Sequence, residues 1–457
     1  MSISVGHLTH GKNVQTVELA GSLVQDWITW PILFLTVLFI WERSFFQYSV
    51  YWELSTRAAM VHAYARFAAI AVFLTLGIGT VVLQRVRINR LYSAYIIVCV
   101  FYYYINLKNV PAPKVLLIQS VALTTGLMYV LVSRRRLEHF LWLNAGLGIV
   151  CVALNTVPLL DFYGIVELPY SEVERVGGGF QASLVPLRDY GLFGRSEVFA
   201  YPLLGTNRLQ GWSFEPIHWA YFVLWTGVCC LLLLRLSPWK KRHLLLGPAL
   251  ILVGVHLLYV FSAVALLVVG FSAVVIVACW RLRFASRHFR AACMFAVIVL
   301  AAGLVVPLGL SLIPGFEDLI YEKGVLTTSE DLESRVSFLR LGDRLFTRLW
   351  PDPELAAGAG QNLILAMYVI FGLPFILPLL WLEWVYLKAT LRSSNRILQA
   401  AAILSLVAIN HQVPSQLFYP TGGMWLLLVP AAIKFASESA ESEGALRRFP
   451  TEKRMHA

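Results

Sequence analysis

Roughly a dozen apolar runs, most of about 17 to 23 residues, follow one another along this chain, and Lys/Arg-rich breaks interrupt them on one side only. A run of that length matches the ~30 Å hydrocarbon core of a bilayer. Without water in that core, each backbone N–H and C=O must pair inside the chain, which leaves helices or a closed barrel. Continuous rather than alternating apolarity selects helices. Composition agrees: 58% hydrophobic residues, 14% charged residues and a mean hydropathy of +0.69 are too apolar for a soluble globule. The expected fold is all-α, a polytopic membrane helical bundle of about 12 transmembrane helices.

The spans fall near 24–41, 66–84, 91–107, 115–132, 140–160, 215–234, 244–261, 263–280, 291–313, 363–382, 397–411 and 423–437. With that parity the breaks at Arg85 to Arg90, Arg134 to Arg136, Arg235 to Arg242, Arg281 to Arg290 and Lys388 to Arg396 share one side. The positive-inside rule makes it cytoplasmic, together with both termini and the mixed-charge tail 438–457. The rest of 1–457 reads as a single transmembrane domain with two long outer loops, 161–214 and 314–362, which in a Gram-negative cell are periplasmic and are expected to contain short helices. The first span reads as a retained helix, since no small-residue cleavage pattern follows it. The net charge of +11 is scattered through short breaks and forms no face interleaved with aromatics, which excludes a nucleic-acid partner. Cys99, Cys151, Cys229, Cys230, Cys279 and Cys293 all lie in apolar runs and read as core thiols, with neither disulfide framework nor metal centre.

In the second loop, Thr327 to Asp331 offer capping boxes, and Leu332, Val336, Leu339, Phe346 and Trp350 recur at helical spacing until Pro351. The pattern predicts an amphipathic helix whose polar face carries Arg340, Arg344 and Arg348, with Arg335 near its start. Like charges at i, i+4 cost an isolated helix about 0.2–0.5 kcal/mol per pair. Two compensations are open: salt bridges from Asp331 and Asp343, or an anion such as phosphate matched to the planar guanidinium fork.

The first loop ends in Asn207-Arg208-Leu209-Gln210-Gly211-Trp212-Ser213-Phe214-Glu215-Pro216 and runs straight into an apolar helix. Pro216 suits a first helical turn, and the free N–H groups there favour anions. Arg208 and Glu215 either serve headgroups and the helix dipole or belong to a site.

The order Arg-x-x-Gly-x-x-x-Glu-Pro from Arg208 to Pro216 resembles the first outer-loop motif of the O-antigen polymerase and O-antigen ligase superfamily. In the second loop Ser334-Arg335, Trp350-Pro351, Gly358-Ala359-Gly360 and Gln361-Asn362, followed after nine residues by Gly372, are similar to that family's Arg, Gly-x-Gly and His-Asn-x9-Gly elements. The resemblance implies a GT-C-like bundle acting on undecaprenyl-diphosphate-linked oligosaccharide at the periplasmic face of the bacterial inner membrane. It also implies no cofactor, no essential metal and a chain-length regulator as a further partner. Gln361 stands where the family has His and cannot act as a general base, which favours a polymerase over a ligase.

On this reading Arg208 and Arg335, with Arg340 third, stabilise the departing diphosphate. Glu215 or His411 removes the acceptor proton in an inverting displacement, with His218 a rival for that role. Gln361, Asn362 and His218 bind sugar or phosphate oxygens. The expected function is therefore polymerisation of lipid-linked repeat units into O-antigen or exopolysaccharide. The alternatives are ligation to lipid A core and transport of the lipid-linked glycan.

Overall fold

The computed structural model describes residues 68, 71–72, 74–82, 90–105, 121–122, 124–176, 184–201, 206–212, 216–260, 263–300, 373–391, 393, 395–410 and 425–438. These residues are mostly helical. The labelled helices are α1 (Arg90–Ile105), α2 (Arg134–Leu154), α3 (Pro158–Phe162), α4 (Pro216–Leu236), α5 (Arg242–Val260), α6 (Ala263–Arg281), α7 (Arg287–Leu300), α8 (Leu373–Thr390), α9 (Arg396–Asn410) and α10 (425–438). Among the described residues three apolar stretches are long enough to cross a membrane: Arg134–Phe162, Trp219–Leu236 and Arg242–Val260. Shorter apolar stretches lie in α1, α6 and α9. The chain is thus a membrane protein by its helices. The expected span at 24–41 and the expected amphipathic helix after Thr327 lie outside the described residues.

Two boundaries differ from expectation. The helix expected at 140–160 begins at Arg134, taking the arginine run into its first turn, and breaks at Asn155 before α3. The span expected to end at 382 continues to Thr390, which places Glu383 inside α8.

α4 is the centre of its neighbourhood. Apolar side chains surround it on all sides, and 89% of Trp219–Leu236 is buried, against 33% for Arg242–Val260. It packs against α2, α5, α6 and α9. Trp225 stacks on Trp425 of α10 with centroids 5.4 Å apart and donates its indole N–H to Asn144 Oδ1 at 3.2 Å. Asn144 in turn donates to the Phe140 carbonyl at 2.8 Å, so the buried amide has partners on two helices. On the same α2–α4 seam a Cβ at Gly148 would collide with the Thr226 side chain. A second group of helices sets α8 against α1, α7 and α9, with α9 reaching both α4 and α6.

The two ends of the bundle are chemically unlike. At one end arginines close helix C-termini: Arg134 donates to the Leu236 carbonyl and Arg242 Nε to the Leu234 carbonyl, both at 2.7 Å. Orphan carbonyls of a last turn attract such donors electrostatically as well as by hydrogen bonding.

At the other end the first long loop corrects the all-α expectation. Instead of short helices alone it forms a four-stranded antiparallel sheet in the order β1-β2-β3-β4. The strands are β1 (Ser171–Val176), β2 (Leu184–Asp189), β3 (Arg195–Tyr201) and β4 (Thr206–Gly211). The local signals are strand-favouring valines, Val173, Val176 and Val185, among charged neighbours, and glycines that punctuate the connections. Register runs from Ser171↔Asp189 to Val176↔Leu184, and a bulge interrupts β3–β4 between Ser196 and Ala200. All six cysteines are free; Cys293 is half-buried and the others are buried.

Gly148→Ala should lower the thermal stability of the detergent-solubilised protein by about 1–3 kcal/mol through overpacking against Thr226. Thr226→Ala in the same chain should restore part of the loss, as read by a melting series on both variants. Equal melting of Gly148→Ala and wild type would contradict the tight seam.

Candidate functional site at the junction of sheet and helices

β4 leads into α4 and packs on both α4 and α5. The contact depends on one glycine. Gly211 has φ +65°, where L side chains are strained, and a Cβ there would overlap the Trp219 indole. The Gly of the Arg-x-x-Gly-x-x-x-Glu-Pro run is therefore a docking residue. Trp212 packs on Trp219 at 6.2 Å and donates to the Leu192 carbonyl at 3.1 Å, which fastens the β2–β3 connection to the same spot.

Beneath the sheet lies a dry hydrogen-bond relay. Trp219 Nε1 donates to His256 Nε2 at 2.7 Å, and His256 Nδ1 meets Thr156 Oγ1 at 2.8 Å. An indole N–H can only donate, so Nε2 is the acceptor and Nδ1 carries the ring proton. Thr156 accepts it and donates to the Val152 carbonyl at 2.6 Å. Four groups on α2, α4, α5 and the turn after α2 are thereby satisfied in series. His256 was not singled out from the sequence, although a lone His inside the apolar run 244–261 is the available signal.

Arg208 sits at the mouth of this junction. Its Nε donates to the Val260 carbonyl at the end of α5 at 2.8 Å, and Nη1 pairs with Glu197 of β3 at 3.3 Å. Its side chain is 18% exposed, against 5% for Glu197, so the cation reaches the surface while its carboxylate partner does not. The expected diphosphate-binding arginine thus shares its donors with the fold. His218 lies in the first turn of α4. Glu215, Arg335, Arg340, Gln361, Asn362 and His411 lie outside the described residues.

A second cluster latches the far side of the sheet to α3. Asp161 accepts from the Tyr190 hydroxyl at 2.9 Å and from Leu168 N at 3.2 Å, and Arg188 approaches it at 4.0 Å. Arg188 also lies 4.6 Å over the Tyr170 ring. Burial, then the bond to Asp161, holds the Tyr190 phenol above the ordinary tyrosine range. Burial works against the Arg188 charge, but Tyr190, Tyr170 and Asp161 outweigh it and hold that guanidinium above its usual value. The β2–β3 turn has its own clasp: Asp189 accepts from Gly191 N at 2.8 Å and from Arg195 Nε at 3.1 Å.

Comparison with family models, curated proteins and solved structures returns no match for this chain.

Gly211→Ala should unseat β4 and expose the Trp219 side of the sheet, and limited proteolysis should then cut near residues 202–215 faster than in wild type. Unchanged cutting would argue against a glycine-dependent dock. The Tyr190 latch has a pH sign. A phenol whose folded pKa is raised contributes stability that is complete below its unfolded value of about 10 and is lost as pH rises through the folded value. Tyrosinate absorbance of wild type minus Tyr190→Phe should therefore show one late-ionising phenol, and ionisation at the ordinary value would exclude the latch.

Proposed function

We propose that this chain is an integral membrane glycosyltransferase that takes its glycan from a polyprenyl-diphosphate carrier and lengthens it, as do the O-antigen polymerases it resembles. The observation that supports the reading best is the placement of Arg208. A guanidinium is held by a buried carboxylate and a helix-terminal carbonyl at the sheet end of α4 and α5, still partly exposed, within the run that carries the resemblance.

The chemistry asks for such a group. As the bond from anomeric carbon to diphosphate oxygen breaks, charge grows on the leaving group. A cation already fixed in a water-poor site stabilises it without reorganisation. Glu197 and Val260 restrict the Arg208 side chain, so little rotamer freedom is left to lose when a ligand arrives. Arg335 and Arg340 join Arg208 on the diphosphate, while Gln361, Asn362 and His218 bind sugar or phosphate oxygens. The acceptor hydroxyl attacks the anomeric carbon as Glu215 or His411 takes its proton, and configuration inverts. The apolar helix walls admit the polyprenyl tail, and the site faces the periplasm of the inner membrane.

Purified protein in nanodiscs, given a diphosphate-linked oligosaccharide lipid, is expected to return longer glycan on the same lipid. Transfer to added lipid A core would instead assign a ligase, and absence of any covalent product would favour transport. Arg208→Ala should lower polymer formation about 10²–10³-fold, the scale of a lost transition-state donor. Because that variant also breaks the buried pair with Glu197, a loss of about 3–5 kcal/mol for such pairs, the comparison is Arg208→Ala with and without Glu197→Ala. Activity that stays lost in the double variant marks contact with the donor; activity that returns marks Arg208 as a strut.

A further inference from the structure

The apolar helix α8 carries an acid in its interior. Glu383 is 1% exposed and Asn410, on α9, is fully buried. Leu379, Leu382, Tyr386 and Leu387 on the same helix are buried with them. Among the described residues no donor reaches Glu383 Oε1, Glu383 Oε2 or Asn410 Oδ1. Asn410 Nδ2 is engaged by the Leu406 carbonyl at 3.1 Å.

The hairpin brings these groups together. α8 and α9 are joined by the short turn 391–395, and Tyr386 of α8 donates to the Ala402 carbonyl of α9 at 3.1 Å. Helical side chains lean toward their own N-terminus. Glu383 therefore leans away from the turn and Asn410 back toward it, so the two side chains lean toward each other.

We propose that Glu383, beside Asn410, is a proton-binding site inside the helix bundle. A carboxylate there would add two unserved acceptors to a third. A proton turns one of them into a donor and gives the Asn410 oxygen a partner on the neighbouring side chain. Among the described residues these three oxygens fall short of the about six to eight that a calcium-sized cation takes, and a proton is the occupant they suit.

Among the described residues other titratable groups do not supply the missing partner. α8 packs against α1, α7 and α9. Their cations, Arg90, Arg287, Arg290 and Arg396, and His288 stand in first turns, away from the middle of α8. Lys388 lies in the last turn of α8 itself. The remaining groups with described side chains are the phenols Tyr92, Tyr95 and Tyr386 and the thiols Cys99 and Cys293.

The test uses the full chain in nanodiscs, treated with dicyclohexylcarbodiimide across a pH series and digested for mass spectrometry. This apolar reagent takes an acid across a C=N bond, carboxyl oxygen to carbon and acid proton to nitrogen, so it modifies a buried carboxyl only while the proton is present. An adduct on Glu383 that declines as pH rises and is missing from Glu383→Gln supports the site. An adduct on Glu383 that ignores pH overturns it. If no adduct forms there, infrared spectroscopy decides: a protonated-carboxyl C=O band at neutral pH that Glu383→Gln removes supports the proposal, and its absence from wild type overturns it.

Discussion

The seating of β4 on α4 and α5 is the interaction on which the described site depends. Hydrocarbon gives no water to an indole N–H or an imidazole, so polar groups near a helix mouth must be consumed by one another. Here Trp219, His256, Thr156 and the Val152 carbonyl form one series of donors and acceptors. The series fixes the relative rotation of α2, α4 and α5. Only with Trp219 held in that rotation does Gly211 find a flat indole face to rest on. Arg208, three residues earlier on the same strand, is then delivered to the end of α5 rather than to open solvent.

The opposite ends of the bundle use arginine differently, and the difference follows from what each end offers. Where α4 stops, its last carbonyls have no intrahelical donors, and Arg134 and Arg242 supply them from neighbouring helices. Where the sheet begins, strand backbone is already paired, so Arg195 and Arg188 meet carboxylates instead, and Arg208 meets both Glu197 and the last carbonyl of α5. Capping a helix carbonyl is a structural task. A cation balanced by a carboxylate at a partly exposed mouth also has its orientation set before any ligand arrives, which is the condition for electrostatic catalysis.

Helices were legible in the sequence because length and continuous apolarity are local properties. The positions of α4, α5, α6 and α9 follow the runs 215–234, 244–261, 263–280 and 397–411 within a few residues. The sheet was hidden by the same reasoning. A reading tuned to long apolar runs treats 161–214 as residue left over, whereas the β-branched Val173, Val176 and Val185 among charged neighbours, and glycines at the turns, are strand signals too short for such a reading to register. Arg208 was legible as a cation at a helix mouth, but Glu197 was not legible as its partner. That pairing is made across β3 and β4 through a bulged register that spacing does not encode. Glu383 escaped for another reason: ending the span at 382 turned an acid within a helix into an acid in a loop.

Among the described residues the buried charged side chains are Asp189, Arg195, Glu197 and Glu383. Asp189 and Arg195 answer each other at 3.1 Å, and Glu197 is answered by Arg208. Removing either partner of such a pair would leave a buried charge without its counterion, so the members of each pair are held together. Glu383 has no countercharge of this kind, yet it stands deeper than any of them. A buried acid without a fixed cation keeps its place by holding a partner that can leave. The sheet end of the molecule is therefore held by charges that must stay together, and the α8–α9 hairpin by one whose neutrality depends on a proton.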